Sequence, residues 1–295
     1  MFSQVIAGVD GKANGRDAAV LASKLVTPEG QLTLVNVYTA ERSYRDSVNF
    51  PEFVREDCLE LLGREQAATS ADAQVDAVGA SSVGAGLHHV AEERGADLLV
   101  VGSCSRGAVG RVLLGDDMRA SLEGAPCAVA VAPSGYAEHP GSLDTIGVAY
   151  DGSAESDAAL GLAREVAREH SSKVAALNVI NLTPTYASSA MVAIDWSDVI
   201  NDLVREAQAR LNSLTDIQGR AVRGIKTETL AQFCEQVDLL VVGSRGYGPA
   251  RRMLFGSTSE YLAHHASCPL LVLRRGVEAH GEPLQATAGA SGVPA

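Results

Sequence analysis

Aromatic residues and cysteines are scarce in this chain of 295 residues, and long apolar runs are missing from it. Aromatic residues make up 4% of the sequence, and the five cysteines are scattered, odd in number and never spaced as Cys-x-x-Cys. This pattern argues against a disulfide framework and against a structural zinc site. We therefore expect buried thiols in a reducing compartment and no bound metal.

Membrane and export signals are also missing from the sequence. No apolar run approaches the length of about 18 residues that a membrane span needs. The N-terminal segment has neither the basic stretch nor the apolar core of a signal peptide. We expect a soluble, cytoplasmic protein.

Basic residues are also fewer than acidic ones. The sequence holds 24 Lys and Arg against 36 Asp and Glu, which gives a formal net charge of −12. This balance disfavours broad electrostatic attraction to nucleic acid or to an anionic membrane, so neither is expected as a partner. A local anion site is still compatible with it, because backbone N–H groups do not enter a charge count.

The chain contains one sequence pattern twice. The heptapeptide DLLVVGS at 97–103 returns word for word at 238–244, and the same offset, 141 residues, relates Asp10 to Asp151. A Pro/Gly/Ser-rich stretch at 133–142 lies between the two copies, so we predict a tandem duplication. The predicted units are a first repeat at 1–134, a second repeat at 143–275 and a disordered tail at 276–295.

Each repeat alternates short apolar runs with amphipathic segments of helical periodicity. Runs such as Leu239–Val242 are apolar at every position, which is typical of central parallel strands covered on both faces. The alternation predicts right-handed crossovers and an open, doubly wound α/β sheet of five parallel strands in each repeat. The third crossover is four residues shorter in the second repeat, which predicts a shorter helix there. The expected strands of the second repeat are Thr145–Ala149, Val174–Val179, Ala221–Arg223, Leu239–Val242 and Leu270–Leu273, and its expected helices are about 153–170, 196–214, 226–235 and 257–265.

The segment after the fourth predicted strand of the second repeat is rich in glycine. Gly243, Gly246 and Gly256 are spaced G-x2-G-x9-G, and Ser257 and Thr258 follow them. Glycines allow the backbone to approach a ligand closely. The N–H groups at the start of the next helix favour an anion there. Phosphate is therefore the ligand that this segment favours.

Two interpretations of this segment stay open. Arg245, Arg251 and Arg252 add positive charge around the same loop, as an anion site would need. Ser257 and Glu260 also fit a plain S-x-x-E capping box, and the glycines also fit ordinary turns. Asp151, after the first strand of the repeat, fits either a ligand contact or a helix cap.

On these motifs the chain resembles the universal stress protein family, over about residues 1–275 and in both repeats. The resemblance rests on the Asp after the first strand, the DLLVVGS strand, the glycine-spaced loop and the closing apolar strand. It implies the Rossmann-like fold of the adenine nucleotide alpha hydrolase-like class. In ATP-binding members the loop holds the ribose and phosphates, the Asp lies by the nucleotide, and a Val ending the second strand contacts adenine through its backbone.

The resemblance implies ATP, with or without Mg²⁺, as the cofactor. Ala149 and Tyr150 are expected to flank the base or the ribose. Taken together, the motif and the resemblance predict these nucleotide-binding residues: Ala149, Tyr150, Asp151, Val179, Gly243, Arg245, Gly246, Gly256, Ser257 and Thr258.

The first repeat departs from the motif. At the offset of 141, Gly246 corresponds to Ser105, and the two residues after the last glycine correspond to Asp116 and Asp117. Ser105 adds a Cβ where backbone clearance is needed, and the two carboxylates would repel a phosphate. We predict that this repeat binds nucleotide weakly or not at all. The residues of this vestigial site are Asp10, Val37, Gly102, Ser105 and Gly115.

A regulatory nucleotide-binding protein is the function that these features favour, with ATP in the second repeat biasing the conformation or partner choice of the chain. No general base, nucleophile or acidic metal cluster is identifiable near the loop, so at most slow ATP hydrolysis is expected. An ATP-dependent enzyme of the same fold and a structural pairing module without nucleotide stay open as alternatives. The resemblance also implies that Val129–Val131 and Leu270–Leu273 pair as an internal pseudo-dimer, which could pair again as a homodimer.

Overall fold

A computed structural model describes residues 2–39, 51–69, 71–103, 123–181, 197–244 and 256–273. In chain order its strands are β1 (Phe2–Gly8), β2 (Val26–Thr39), β3 (Gln74–Ala80), β4 (Leu98–Gly102), β5 (Ala128–Ala132), β6 (Thr145–Ala149), β7 (Lys173–Asn181), β8 (Gln218–Gly224), β9 (Leu239–Gly243) and β10 (Leu270–Leu273). Its helices are α1 (Ala13–Leu25), α2 (Pro51–Thr69), α3 (Val83–Glu93), α4 (Ala154–His170), α5 (Ser197–Asn212), α6 (Lys226–Phe233) and α7 (Ser257–His265), and a 3₁₀ turn, Cys234–Gln236, follows α6. None of these described helices has the length and apolar composition that crossing a membrane requires.

The described strands form one sheet in the order β3-β2-β1-β4-β5-β10-β9-β6-β7-β8. Neighbouring strands within each repeat pair in parallel, so the predicted α/β fold class is confirmed. At the centre, β5 and β10 pair antiparallel, with Val131 opposite Leu270 and Val129 opposite Val272. The closing strands of the two repeats therefore join the two halves into one sheet.

The two DLLVVGS segments form β4 and β9, which are interior strands of the two halves. Four of the five residues in each strand are buried. Leu240 and Val242 pack into a hydrophobic cluster on one face of the sheet, and Leu239 and Val241 pack into a second cluster on the other face. This burial on both faces explains why the segment has no polar position in its apolar run.

The predicted elements of the second repeat lie close to the observed ones. The largest difference is β8, where the apolar run predicts Ala221–Arg223 and the strand spans Gln218–Gly224. This strand lies at the sheet edge and exposes polar residues such as Arg220, so its apolar run is shorter than the strand. Helix α6 has eight residues where α3 has eleven, as the shorter third crossover predicts.

The cysteines in the described ranges are buried. Cys58, Cys127, Cys234 and Cys268 form no disulfide. The prediction of buried thiols is confirmed for these four residues, whereas Cys104 lies outside the described part of the chain.

The stretch between the repeats docks against α1. The Asp17 side chain is 1% exposed, and its two carboxylate oxygens accept hydrogen bonds from the backbone N–H of Gly135 at 2.9 Å and of Ala137 at 2.7 Å. The Lys24 ammonium lies 5.4 Å from the centre of the Tyr136 ring and donates to the Gly141 carbonyl. Burial, with a smaller contribution from nearby acidic groups, raises the pKa of Tyr136 to about 12. The stretch is thus held by α1 through charged side chains.

Candidate functional site

A cavity of about 530 Å³ opens at the carboxyl ends of β6, β7 and β9. The chain runs from β6 to β7 on one side, and β9 pairs with β6 on the other side. This is the switch point of the second repeat, where open α/β sheets bind their ligands. Of the ten predicted nucleotide-binding residues, seven line the cavity: Ala149, Asp151, Val179, Gly243, Gly256, Ser257 and Thr258.

Three predicted residues are not among the lining residues. Arg245 and Gly246 lie outside the described part of the chain. Tyr150 is 5% exposed, and its hydroxyl donates a hydrogen bond to Asp157 at 2.7 Å within the hydrophobic cluster on the opposite face. The Tyr150 side chain therefore lies away from the cavity, and the expectation that Tyr150 flanks the base or ribose stays a prediction for its backbone. Successive residues of a strand point to opposite faces, so Ala149 lines the cavity and Tyr150 does not.

Asp151 organises the turn between β6 and α4. Its Oδ1 accepts hydrogen bonds from the Ser153 backbone N–H at 3.1 Å and from the Ser153 hydroxyl at 2.6 Å. Ser153 is in turn the N-cap of α4, and its Oγ accepts from the Ser156 backbone N–H at 3.3 Å. Asp151 therefore has the structural role of a turn residue while it also lines the cavity. The two interpretations of this residue are compatible.

The start of α7 differs from the predicted capping box. Gly256, not Ser257, is the N-cap residue, and Ser257 is the first residue of the helix. The prediction that Ser257 caps the helix in a box with Glu260 is wrong, because the cap lies one residue earlier. The backbone N–H of Glu260 donates to the Gly256 carbonyl at 3.0 Å, which is the first hydrogen bond of the helix. Glycine has no side chain that can accept from the first helical N–H groups. The N-terminus of α7, which is the positive end of the helix dipole, lines the cavity and has no cap from the side chain of its N-cap residue.

Two glycines that line the cavity are there for different reasons. A Cβ on Gly243 would lie 2.5 Å from the Glu155 carbonyl oxygen and 2.7 Å from the Glu155 carbonyl carbon, so the glycine is needed for close packing of β9 against α4. Gly102 is in the same situation against Asn14 in the first repeat. Within the part of the chain that the structure describes, a Cβ on Gly256 would meet no atom within 4 Å. The motif assigned Gly243 and Gly256 to the ligand, but close packing by itself accounts for the glycine at position 243, as it does for Gly102.

Replacing Gly243 with alanine is expected to destabilise the fold, whereas Gly256→Ala is expected to leave its stability nearly unchanged. The added methyl at 243 strikes backbone, which cannot move as a side-chain end does, and such overpacking costs about 1–3 kcal/mol. Thermal unfolding of the two variants beside the wild type checks this prediction. Equal melting temperatures for Gly243→Ala and the wild type would contradict it.

Several lining residues were not predicted from the sequence. Lys226, at the first position of α6, has its Nζ 3.6 Å from Asp151 Oδ2. Burial lowers the pKa of Lys226. The sequence could have indicated Lys226 only by its place just after the third strand of the repeat, because residues that follow a strand lie at the carboxyl edge of the sheet, where the cavity opens. The other lining residues that were missed are Ser153, Glu155, Ser156, Asn181, Leu230, Val242 and Ser259.

The first repeat has a similar turn with a different cation. Asp10 Oδ1 accepts from the Lys12 backbone N–H at 3.1 Å, and the Lys12 ammonium lies 3.0 Å from Asp10 Oδ2. Val37 is 8% exposed in the cluster on the face that carries α3. The other predicted residues of this vestigial site, Ser105 and Gly115, lie outside the described ranges, as do Asp116 and Asp117.

Comparison with known sequences identifies the family. The sequence profile of the Universal stress protein family matches residues 1–133 and again residues 142–274. The chain belongs to the universal stress protein family. It carries two copies of the family's domain in tandem, as the resemblance implied.

Individual relatives and solved structures agree with this assignment. Universal stress protein Rv2005c of Mycobacterium tuberculosis is 28% identical over 292 residues, which is 92% of this chain and 97% of that protein. A universal stress protein of Mycolicibacterium smegmatis is 31% identical over 164 residues, so the chain spans about half of that relative, 54% of its length. The crystal structure of a universal stress protein from Archaeoglobus fulgidus superposes with a TM-score of 0.63 at 17% identity, covering 93% of this chain and 99% of that one. That last similarity concerns the fold alone.

Proposed function

We propose that this universal stress protein binds one adenine nucleotide, ATP, in the cavity of the second repeat and acts as a nucleotide-dependent regulatory protein. The observation that carries the proposal is the start of α7. Its N-cap is Gly256, and Gly256, Ser257 and Thr258 line the cavity. An uncapped helix N-terminus that faces a cavity at a switch point suits a phosphate group.

The remaining walls of the cavity suit the other parts of a nucleotide. Val179, Leu230 and Val242 form an apolar side on which a base can lie. Asp151, whose Oδ2 lies 3.6 Å from the Lys226 ammonium, offers carboxylate oxygens that can accept from ribose hydroxyls. The volume of about 530 Å³ lies within the range of small-molecule sites.

The nucleotide is proposed to act on the whole chain through the sheet. β9 carries Gly243 at the cavity and pairs with β10, and β10 pairs with β5 of the first repeat. We infer from this antiparallel pair that the chain is an internal pseudo-dimer. A shift of β9 on binding would be transmitted to the other half through two strand pairs. A cytoplasmic location and further pairing of two chains as a homodimer are also part of the proposal.

The proposed function is tested by analysing what the purified protein carries. We expect mass analysis of denatured, freshly purified protein to find an adenine nucleotide. We also expect added ATP to raise the melting temperature, because a ligand at 100 times its Kd stabilises the folded state by about 2.7 kcal/mol. Finding no adenine nucleotide, together with no ATP-induced melting shift, would contradict the proposal and favour a structural pairing module.

A further inference from the structure

The ammonium group of Lys226 is held inside the proposed nucleotide site. Lys226 begins α6, its side chain is 29% exposed, and its Nζ lies 3.6 Å from Asp151 Oδ2. Leu230, one turn further along the same helix, is 1% exposed and also lines the cavity. The lysine therefore stands at the border between the apolar wall and the polar turn after β6.

The charges on the described cavity wall are unequal without this lysine. Asp151 and Glu155 bring two carboxylates from the turn after β6 and the first turn of α4. Lys226 is the one cationic side chain among the described residues that line the cavity. Carboxylates on the cavity wall repel a phosphorylated ligand, and partial burial strengthens that repulsion. Lys226 offsets part of it. The lowering of its pKa by burial is consistent with an ammonium that has lost much of its water.

The first repeat lacks this arrangement. The residue that begins the corresponding helix, α3, is Val83, which is apolar. The cation beside Asp10 is Lys12, whose side chain is 78% exposed. At the offset of 141, Lys12 corresponds to Ser153. Among the described residues, the second repeat thus has a lysine in the cavity beside its Asp, whereas the lysine beside Asp10 in the first repeat is mostly exposed to solvent.

We propose that Lys226 determines the charge specificity of the second-repeat site, so that the site prefers a phosphorylated nucleotide to the neutral nucleoside. This inference rests on the proposed function, because it concerns the same cavity. The ammonium attracts the phosphate groups electrostatically from within the same cavity, while other groups hold the base and the ribose. Its removal therefore weakens binding in proportion to the charge of the ligand.

The test compares ATP and adenosine as ligands of the full chain and of three variants. Lys226→Gln removes the charge with little change in length, and Lys226→Arg keeps the charge. Lys173→Gln, at the exposed start of β7 and the opposite end of the sheet, changes the net charge by the same amount away from the cavity. Calorimetric titration gives the dissociation constants, and thermal unfolding shows that each variant is folded.

We expect Lys226→Gln to weaken ATP binding about tenfold or more and adenosine binding less than about twofold. Lys226→Arg and Lys173→Gln are expected to keep the ratio of ATP to adenosine affinity close to that of the wild type. An unchanged ratio in Lys226→Gln, with the wild type binding ATP, would overturn this inference alone. A wild-type chain that binds neither ligand would overturn the proposed function and this inference with it.

Discussion

Replacing Gly256 with aspartate is expected to weaken ATP binding about a hundredfold while leaving the unliganded fold as stable as before or more so. The backbone at Gly256 has φ −73° and ψ 159°, an extended conformation that any residue adopts, and an added Cβ meets no atom of the described residues within 4 Å. Aspartate is a favoured N-cap residue, because its carboxylate accepts from the first N–H groups of the helix. Those are the groups that the account assigns to phosphate, so the same substitution stabilises α7 and blocks the site.

The matched control for this prediction is Gly256→Asn. Asparagine caps a helix about as well as aspartate but brings no charge. We expect it to weaken ATP binding less than Gly256→Asp does, and the difference between the two variants measures the charge repulsion. Calorimetric titration and thermal unfolding give affinity and stability for both. Unchanged ATP affinity in Gly256→Asp would show that the phosphates do not lie at the start of α7.

Replacing Asp17 with alanine is expected to lower the free energy of unfolding by about 3 kcal/mol. The carboxylate is 1% exposed, and it accepts from the backbone N–H of Gly135 and of Ala137. Alanine leaves both partly buried donors without their partner, and hydrogen bonds to a charged group are stronger than neutral ones. Urea-induced unfolding measures the change.

Two variants separate the carboxylate's hydrogen bonds from a general effect of charge. Asp17→Asn keeps one acceptor oxygen and is expected to have an intermediate stability. Glu29→Ala removes an exposed carboxylate of the same repeat and is expected to change the free energy of unfolding by less than about 0.5 kcal/mol. If Asp17→Ala unfolds at the same urea concentration as Glu29→Ala, the docking of the stretch at 133–142 does not depend on this side chain.

Much of the fold could be predicted from the sequence because buried strands have apolar residues at successive positions, and this pattern occurs in both repeats. The segment DLLVVGS is apolar at successive positions in both copies, and it forms the two interior strands β4 and β9. The edge strand β8 was underestimated, since a strand that exposes residues such as Arg220 has only a short apolar run. Strand pairing between distant segments, such as β5 with β10, followed from the family resemblance and not from local pattern.

Site residues that belong to a sequence motif could be predicted. Site residues that are brought to the cavity only by tertiary packing could not. The glycine-spaced motif led to Gly256 and Ser257, although the N-cap is Gly256, one residue before the predicted cap Ser257. Lys226 was missed because α6 meets the turn after β6 only in the folded chain, and no spacing relates the lysine to Asp151. Asp17 was missed for the same reason, since its partners lie 118 and 120 residues away.

We propose that only the second of the two repeats binds the nucleotide, and the stoichiometry of ATP binding to the full wild-type chain tests this. Calorimetric titration is expected to give one molecule of ATP per chain, in the second repeat, because Asp116 and Asp117 correspond in sequence to Ser257 and Thr258 and are predicted to repel phosphate. Two equal ATP sites per chain would contradict this proposal. So would the absence of binding at ATP concentrations up to about 1 mM, since a Kd of about 1 mM corresponds to a binding free energy of only roughly −4 kcal/mol.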